Sequence, residues 1–211
     1  MFKKALFIFI ILGLVSTAYA DEGGIPEKGS DPLSYSERSA WTTYNEIYLF
    51  GGPYHGDSFE NSWQAGIEYA VHFTKHFGFG IDFIYSKADY TENRFYNTAG
   101  FFNNDNVYII DGVFLANLPA SLRIKKHTIE SDLYLMLGAG TININSSFEP
   151  LGVLGGGMKI YALPWLALRF EIRNMFHTTN KPGGANEKDF DLLFNGGISF
   201  KIPPKIKPKK K

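Results

Sequence analysis

Five histidines are the side chains in this chain best suited to bind a metal ion or to act as a general base. They are His55, His72, His76, His127 and His177. None has metal-ligand spacing to another histidine, and the chain has no cysteine, so we predict no metal site and no cofactor. Nucleophilic catalysis needs a nucleophile and a base within reach, and His177 is followed by two threonines but has no evident serine partner. We therefore expect no catalytic residue.

A second set of residues that could do chemistry consists of single charged side chains. Each of them lies within a segment of alternating apolar and small residues. They share the face that also carries Gly, Ser and Asn. The acidic members are Glu68, Asp82, Asp111, Asp132, Glu171 and Asp191, with Glu46 as a further candidate, and the basic members are Lys159, Arg169, Arg173 and Lys201. An isolated buried charge is costly, so these groups must pair if the face is enclosed. We predict an ion-pair network centred on Arg169, Glu171 and Arg173.

Composition excludes several classes of protein. The chain has 211 residues, of which 45% are hydrophobic, 20% charged and 16% aromatic, so it is not a disordered protein. A mean hydropathy of -0.13 is too low for a bundle of membrane-spanning helices. Residues 21–200 carry 13 basic and 21 acidic side chains, and this negative balance makes nucleic acid an unfavourable partner.

The first twenty residues have the pattern of a secretory signal peptide. Lys3 and Lys4 precede an apolar run at residues 5–15, and small residues at 18 and 20 suit a signal peptidase. We predict cleavage between Ala20 and Asp21. The apolar run is too short to be a membrane anchor, since a spanning helix needs about 20 residues.

From about residue 45 the chain alternates between apolar and small or polar residues, which is the period of β-strands. Eight such segments of about ten residues each suit strands that cross a bilayer at a tilt. Residues 74–77, 119–125 and 163–165 are predicted to be short connections. Residues 53–61, 90–106, 143–150 and 178–188 are predicted to be longer loops. The pattern predicts an all-β fold, an eight-stranded antiparallel transmembrane up-and-down β-barrel over residues 45–202, with both termini at the short-turn end.

The composition of the polar face favours a membrane barrel over a soluble one. A soluble, lipocalin-like barrel would expose a face rich in Lys and Glu, whereas the polar face here has mostly small residues and one or two charges per strand. Aromatic residues also cluster at strand ends, as in the girdles at lipid headgroup level: Trp63, Phe73, Phe77, Phe79, Trp165 and Phe176. The lipid bilayer is therefore the expected partner of the apolar face.

The last predicted strand looks like the assembly signal that the barrel-assembly machinery recognises in a closing strand. The matching positions are Asn195, Gly197, Phe200 and Ile202. Many such proteins stop at the terminal Phe, whereas residues 203–211 follow here. The machinery is therefore an expected partner during biogenesis, with an internal recognition segment and a Lys- and Pro-rich tail beyond it.

Two segments resemble strands of a known family. Residues 130–140 (ESDLYLMLGAG) and 165–174 (WLALRFEIRN) are similar to strands of the outer-membrane β-barrel domain family of small exported barrels. The resemblance covers residues 45–202 and implies the barrel fold and a place in the outer membrane of a Gram-negative cell envelope. It implies no defined activity.

The organisation that follows has four parts. Residues 1–20 are the signal peptide, 21–44 a flexible periplasmic segment, 45–202 the barrel and 203–211 a periplasmic tail. We predict a structural scaffold that presents surface loops around a lumen filled by side chains. The alternatives are a narrow, porin-like channel and an outer-membrane lipid-modifying enzyme. The loop that begins at Tyr90 and ends at Asn106 is rich in aromatics and is expected to cover the barrel mouth or to bind a surface ligand.

Overall fold

Eight β-strands make up the computed structural model, which describes residues 43–56, 62–88, 105–124, 127–144, 147–180 and 186–202. The strands are β1 (Tyr44–His55), β2 (Ser62–His72), β3 (Phe77–Ala88), β4 (Asp105–Ile124), β5 (His127–Ile144), β6 (Ser147–Leu163), β7 (Leu166–Asn180) and β8 (Asn186–Ile202). Within these ranges, no helix has the length and apolar character needed to cross a membrane.

The strands form a closed barrel in which each strand pairs antiparallel with its chain neighbours and β1 pairs with β8. A path through directly paired residues that begins at Tyr48 on β1 and passes through β2 to β7 arrives at Asp189 on β8. The β8 residue that pairs directly with Tyr48 is Ser199, so the strands are staggered by ten residues around the closed barrel. Such a stagger tilts the strands by about 35–45° from the barrel axis. We call the end with Tyr44 and Ile202 the terminal end and the opposite end the loop end.

The exterior of the barrel is apolar, because the alternation sends large hydrophobic side chains outward from every strand. Leu135, Leu168 and Phe170 are 47%, 46% and 50% exposed, respectively. Trp63 near the start of β2 and Phe73 directly after its end lie ten residues apart, which at about 3.3 Å per residue and this tilt corresponds to about 25 Å along the axis. This height equals the apolar band of known membrane barrels, about 25 Å.

Glycines on the inner face make room for the large side chains that fill the interior. A Cβ atom on Gly157 of β6 would lie 2.5 Å from the Tyr134 hydroxyl oxygen, and one on Gly78 of β3 would lie 2.7 Å from His72 Nδ1. Tyr134 and His72 are both buried. The small residues of the polar face therefore leave the space that the bulky inward side chains of neighbouring strands occupy.

Several connections predicted from sequence are shorter in the structure, among them residues 178–188, where the pairing of β7 and β8 extends to Asn180 and Asn186. Pro119 pairs with Asp132, and the ladder of β4 and β5 continues to Ile124 and His127. Residues 143–150, predicted to be a longer loop, are largely strand, since Asn143 pairs with Phe148. Proline and asparagine suggested loops, but Pro119 lies beyond Ala116, where the β3–β4 pairing ends, and its nitrogen faces that unpaired side, so no ladder hydrogen bond is lost.

Candidate functional site

The centre of the barrel holds three alternating residues of β7, Arg169, Glu171 and Arg173. Their spacing of two directs all three side chains inward, and they are 0%, 3% and 0% exposed, respectively. Arg169 Nη2 donates to Glu171 Oε2 at 2.7 Å, and Arg173 Nε donates to Glu171 Oε1. Glu171 therefore lies between two guanidinium groups on its own strand.

Carboxylates from β2, β3 and β4 complete the central network. Arg169 holds Glu68 through two hydrogen bonds, with Nη1 to Oε1 at 2.5 Å and Nη2 to Oε2 at 2.9 Å. Arg173 reaches Glu68 Oε2 at 3.1 Å and Asp82 Oδ2 at 3.0 Å, and its Nη1 lies 3.8 Å from Asp111 Oδ1. The bidentate contact of Arg169 is the geometry in which a guanidinium binds a carboxylate most strongly.

A second group of charges surrounds Glu46 toward the terminal end. Lys159 Nζ donates to Glu46 Oε2 at 2.6 Å, and His72 Nε2 lies 2.8 Å from the same oxygen. Ser199 Oγ donates to Glu46 Oε1 at 2.5 Å. Arg169 Nη1, 3.7 Å from Glu46 Oε1, joins this group to the central network. All of these residues are buried.

Tyrosine side chains pack between the charged groups, and their uncharged hydroxyls form charge-assisted hydrogen bonds with them. The Tyr134 hydroxyl donates to Glu171 Oε2 at 2.7 Å and accepts from Arg169 Nε at 2.7 Å. The Arg169 guanidinium carbon lies 4.1 Å from the ring centroid of Tyr48 and 4.6 Å from that of Tyr134. Tyr134 is not among the residues predicted for this network. Its position on the polar face, two residues from Asp132, was the available signal.

Two residues of the predicted network lie away from its centre. Asp191 is near the loop end, where it accepts from Tyr54 at 2.5 Å and lies 2.9 Å from His177 Nε2. Asp132 is near the terminal end and accepts from the Tyr161 hydroxyl. Both side chains point inward, but their strands place them at different heights along the barrel axis.

An apolar layer separates the central network from the Asp191 and His177 pair. Four strands contribute to this layer. On each of them, the next inward-facing residue toward the loop end, after a polar residue of the centre, is aliphatic or Met. These positions, all 0% exposed, are Ile84, Ile109, Met175 and Leu193. They belong to one buried apolar cluster. The interior is thus polar at its centre and apolar above it, a division that the sequence analysis missed.

His177 also borders an open groove of about 370 Å³ at the loop end. The other lining residues are Pro150, Phe176, Thr178, Lys188, Asp189 and Phe190. Across the described strands, no three His, Asp or Glu side chains are grouped so that they could hold a metal ion. His72 and His177 instead contact carboxylates, Glu46 and Asp191 respectively.

The residues of the predicted assembly signal occupy both faces of β8. The Asn195 side chain points inward, accepting from Gln64 at 2.6 Å and donating to Glu171 at 2.9 Å. A Cβ atom on Gly197 would lie 2.0 Å from the Leu49 carbonyl oxygen, so the β1–β8 closure leaves room only for glycine there. Phe200 stacks on Trp165 outside the barrel, and Ile202 ends the strand. Ala20, Asp21, Tyr90 and the 203–211 tail lie outside the described residues.

The closed ladder, apolar exterior and charged, filled interior together define the class of this protein. In hydrocarbon every backbone N–H and C=O must pair internally, and among sheets only a closed barrel satisfies that requirement. The chain is a closed eight-stranded antiparallel β-barrel with the exposed apolar exterior of a transmembrane barrel.

Several solved structures of outer-membrane barrels are similar to this chain. Neisserial surface protein A is 12% identical with a TM-score of 0.44, covering 76% of this chain and 97% of its own. OprG from Pseudomonas aeruginosa is 9% identical with a TM-score of 0.40, covering 77% and 97%. The N-terminal β-barrel domain of Pseudomonas aeruginosa OprF is 13% identical with a TM-score of 0.39, covering 76% and 98%. No protein-family model and no curated protein matches the chain.

Proposed function

We propose that this protein is a structural component of the outer membrane, a rigid barrel that presents surface loops. The observation that carries this proposal is the ion-paired centre of the barrel, where Arg169, Glu171 and Arg173 are packed against Glu68 and Tyr134. An eight-stranded barrel has an interior just wide enough for side chains, and here side chains occupy it. Such a barrel holds its loops rigidly above the membrane.

The rest of the chain fits this role. We propose that residues 1–20 direct export and are removed between Ala20 and Asp21, and that the segment 21–44 and the tail 203–211 lie in the periplasm. The closing strand, with Phe200 and Ile202 at its end, would be read by the barrel-assembly machinery. The lipid bilayer then surrounds residues 45–202.

The runner-up, a narrow channel, is less well supported because of the apolar layer. An ion crossing the barrel would have to pass Ile84, Ile109 and Met175 without its hydration shell. Hydrophobic constrictions of this kind close pores by excluding water. The third reading, a lipid-modifying enzyme, would need a nucleophile beside His177, whose ring nitrogens lie 2.9 Å from Asp191 Oδ2 and 3.7 Å from Glu149 Oε2.

Conductance of the refolded full chain in planar lipid bilayers tests the scaffold against the channel. We expect no discrete current steps at neutral pH, with a wide porin as the positive control for insertion. Regular current steps from the purified barrel would favour the channel instead. A change in lipid A mass on overexpression would favour the enzyme.

The loop that begins at Tyr90 is the proposed site for a surface ligand, and most of it lies outside the described residues. Its aromatics include Phe101 and Phe102. We expect a variant with both replaced by alanine to lose binding to whichever cell-surface material the wild-type chain retains in a pull-down. Unchanged retention, with unchanged barrel folding, would remove the loop from the binding role.

A further inference from the structure

Three carboxylates stand side by side on the inner face of the barrel. Glu68 on β2 pairs directly with Asp82 on β3, and Asp82 pairs directly with Asp111 on β4. Directly opposed side chains on neighbouring strands have Cβ atoms about 4.5–5.5 Å apart, and like charges at that distance repel. Asp82 and Asp111 are 0% and 2% exposed, so water does not screen them.

Hydrogen-bond donors are distributed unequally along this row. Glu68 receives three hydrogen bonds from Arg169 and Arg173, and Asp82 receives one from Arg173. Neither Asp111 oxygen has a hydrogen-bond donor, and the guanidinium of Arg173 comes no closer to Asp111 than 3.8 Å. A buried carboxylate without a donor bears its full desolvation cost.

The Asp82 and Asp111 side chains project from directly paired positions, and Arg173 Nη1 lies near both carboxyl groups, 3.0 Å from Asp82 Oδ2 and 3.8 Å from Asp111 Oδ1. Two ionised carboxylates are both acceptors, so they cannot form a hydrogen bond with each other. One proton on either group turns the contact into a donor–acceptor pair.

The combined charge of the central network and the Glu46 group points the same way. Five carboxylates, on Glu46, Glu68, Asp82, Asp111 and Glu171, face three fixed cations, on Lys159, Arg169 and Arg173. Asn117 Nδ2 lies 3.3 Å from His72 Nδ1, an arrangement in which the ring accepts at Nδ1 and carries its proton at Nε2, toward Glu46. The histidine is then neutral, and the full set of ionised carboxylates would exceed the cations by two.

We propose that Asp82 and Asp111 form a proton-binding site, sharing one proton between their carboxyl groups in the folded barrel at neutral pH. The charged groups that face the pair are Glu68 from β2 and Glu171 and Arg173 from β7. Proton binding replaces the like-charge contact with a hydrogen bond and lowers the negative excess. A metal cation fits the same oxygens poorly, because Arg173 already lies against them.

Infrared difference spectroscopy of the refolded full chain in lipid, with ¹³C-labelled aspartate carboxyl groups, tests the site. At neutral pH we expect an isotope-shifted carbonyl band of a protonated carboxylic acid. The band should be absent from Asp111→Asn and present in Asp191→Asn, a buried aspartate that keeps its own donors. Absence of the band from the wild-type barrel, or its persistence in Asp111→Asn, would overturn the proposal.

Unfolding in urea at increasing pH provides an independent readout. While the folded barrel holds a proton that the unfolded chain has released, the folding equilibrium constant falls by up to about tenfold per pH unit, beginning near the ordinary Asp pKa of about 4 and ending where the folded site loses its proton. We expect this decline to continue through neutral pH in the wild type and to be absent in Asp111→Asn. Identical profiles of the two proteins from about pH 4 upward would contradict a shared proton. If Asp111→Asn does not refold, the wild-type spectrum still decides. The test does not depend on the proposed scaffold role.

Discussion

Arg169 makes two kinds of contact at the residue scale, and both depend on its burial. Its guanidinium group binds Glu68 and Glu171 and lies between the rings of Tyr48 and Tyr134. Removing one partner of a buried ion pair leaves an uncompensated charge, which costs far more than the pair itself contributes.

We expect Arg169→Ala to lower the free energy of unfolding by about 3–5 kcal/mol, because Glu68 and Glu171 lose their main cation. Urea unfolding of the refolded barrel, followed by tryptophan fluorescence, measures the change. Leu168→Ala is the matched control, since the neighbouring side chain faces outward and is 46% exposed. Equal losses in the two variants would argue against an energetic role for the network.

Strand β6 illustrates what glycine does at the scale of one element. A Cβ atom on Gly157 would lie 2.5 Å from the Tyr134 hydroxyl and 2.2 Å from the Phe170 carbonyl oxygen. On β8, a Cβ atom on Gly196 would meet nothing closer than 3.8 Å. The two glycines therefore have different roles, although each lies within a strand.

We predict that Gly157→Ala destabilises the barrel by about 1–3 kcal/mol, the usual cost of overpacking. Gly196→Ala should change stability by less than about 0.5 kcal/mol, because the added methyl group has space. Urea midpoints of both variants test the difference. A Gly157→Ala midpoint equal to that of the wild type would mean that Tyr134 moves aside without loss.

The closing strand supplies a second prediction for an element. Phe200 stacks on Trp165, and Phe190, farther toward the loop end of β8, packs edge-to-face on Phe176. Because both are outward aromatics in pairs, alanine at either position removes similar packing. We expect Phe200→Ala to lower the fraction of chain assembled in the outer membrane of expressing cells more than Phe190→Ala does. Equal assembly would remove Phe200 from the recognition signal.

For the molecule as a whole, the apolar exterior is the feature that a bilayer must cover. The chain has no cysteine, so single cysteine variants report on one position at a time. In lipid vesicles we expect Leu135→Cys and Leu168→Cys to resist a water-soluble maleimide, because both face outward within the apolar band. Phe148→Cys, beyond the loop-end aromatics, should react readily, and rapid reaction at Leu135 would contradict the membrane orientation.

A closed barrel should also resist detergent before heating. We expect the folded protein to migrate faster in an unboiled gel than in a boiled one, because the closed ladder stays compact and binds less detergent. Migration unchanged by boiling would show that the refolded chain is not the barrel described above.

Much of the fold could be predicted from the period of the sequence. Alternation places Trp63, Ile67 and Val71 on one face of β2 and Glu68 on the other, and the structure confirms that division. Strand ends were less predictable, as the pairing of Asn143 with Phe148 shows. Residue type signals a loop only weakly where backbone hydrogen bonds can continue.

Within the candidate site, the sequence indicated which side chains point inward but not which of them meet. Arg169 binds Glu68, which is 101 residues away in the chain, and Glu46 meets Lys159 across 113 residues. These contacts depend on how far each strand is staggered, and the stagger has no local signal. The apolar layer at Ile84 and Ile109 could not be predicted from the sequence for the same reason.

The sequence by itself determined the two faces of every strand, because the side-chain period of two is a local property of extended backbone. It also determined that the charged face had to be enclosed, since its few charges and many small residues suit a crowded interior. Only the tertiary structure decided the heights at which the charges meet, which separates Asp191 from the central network and places Asp82 against Asp111. Closure with a fixed stagger sets those heights, and closure is a property of all eight strands together.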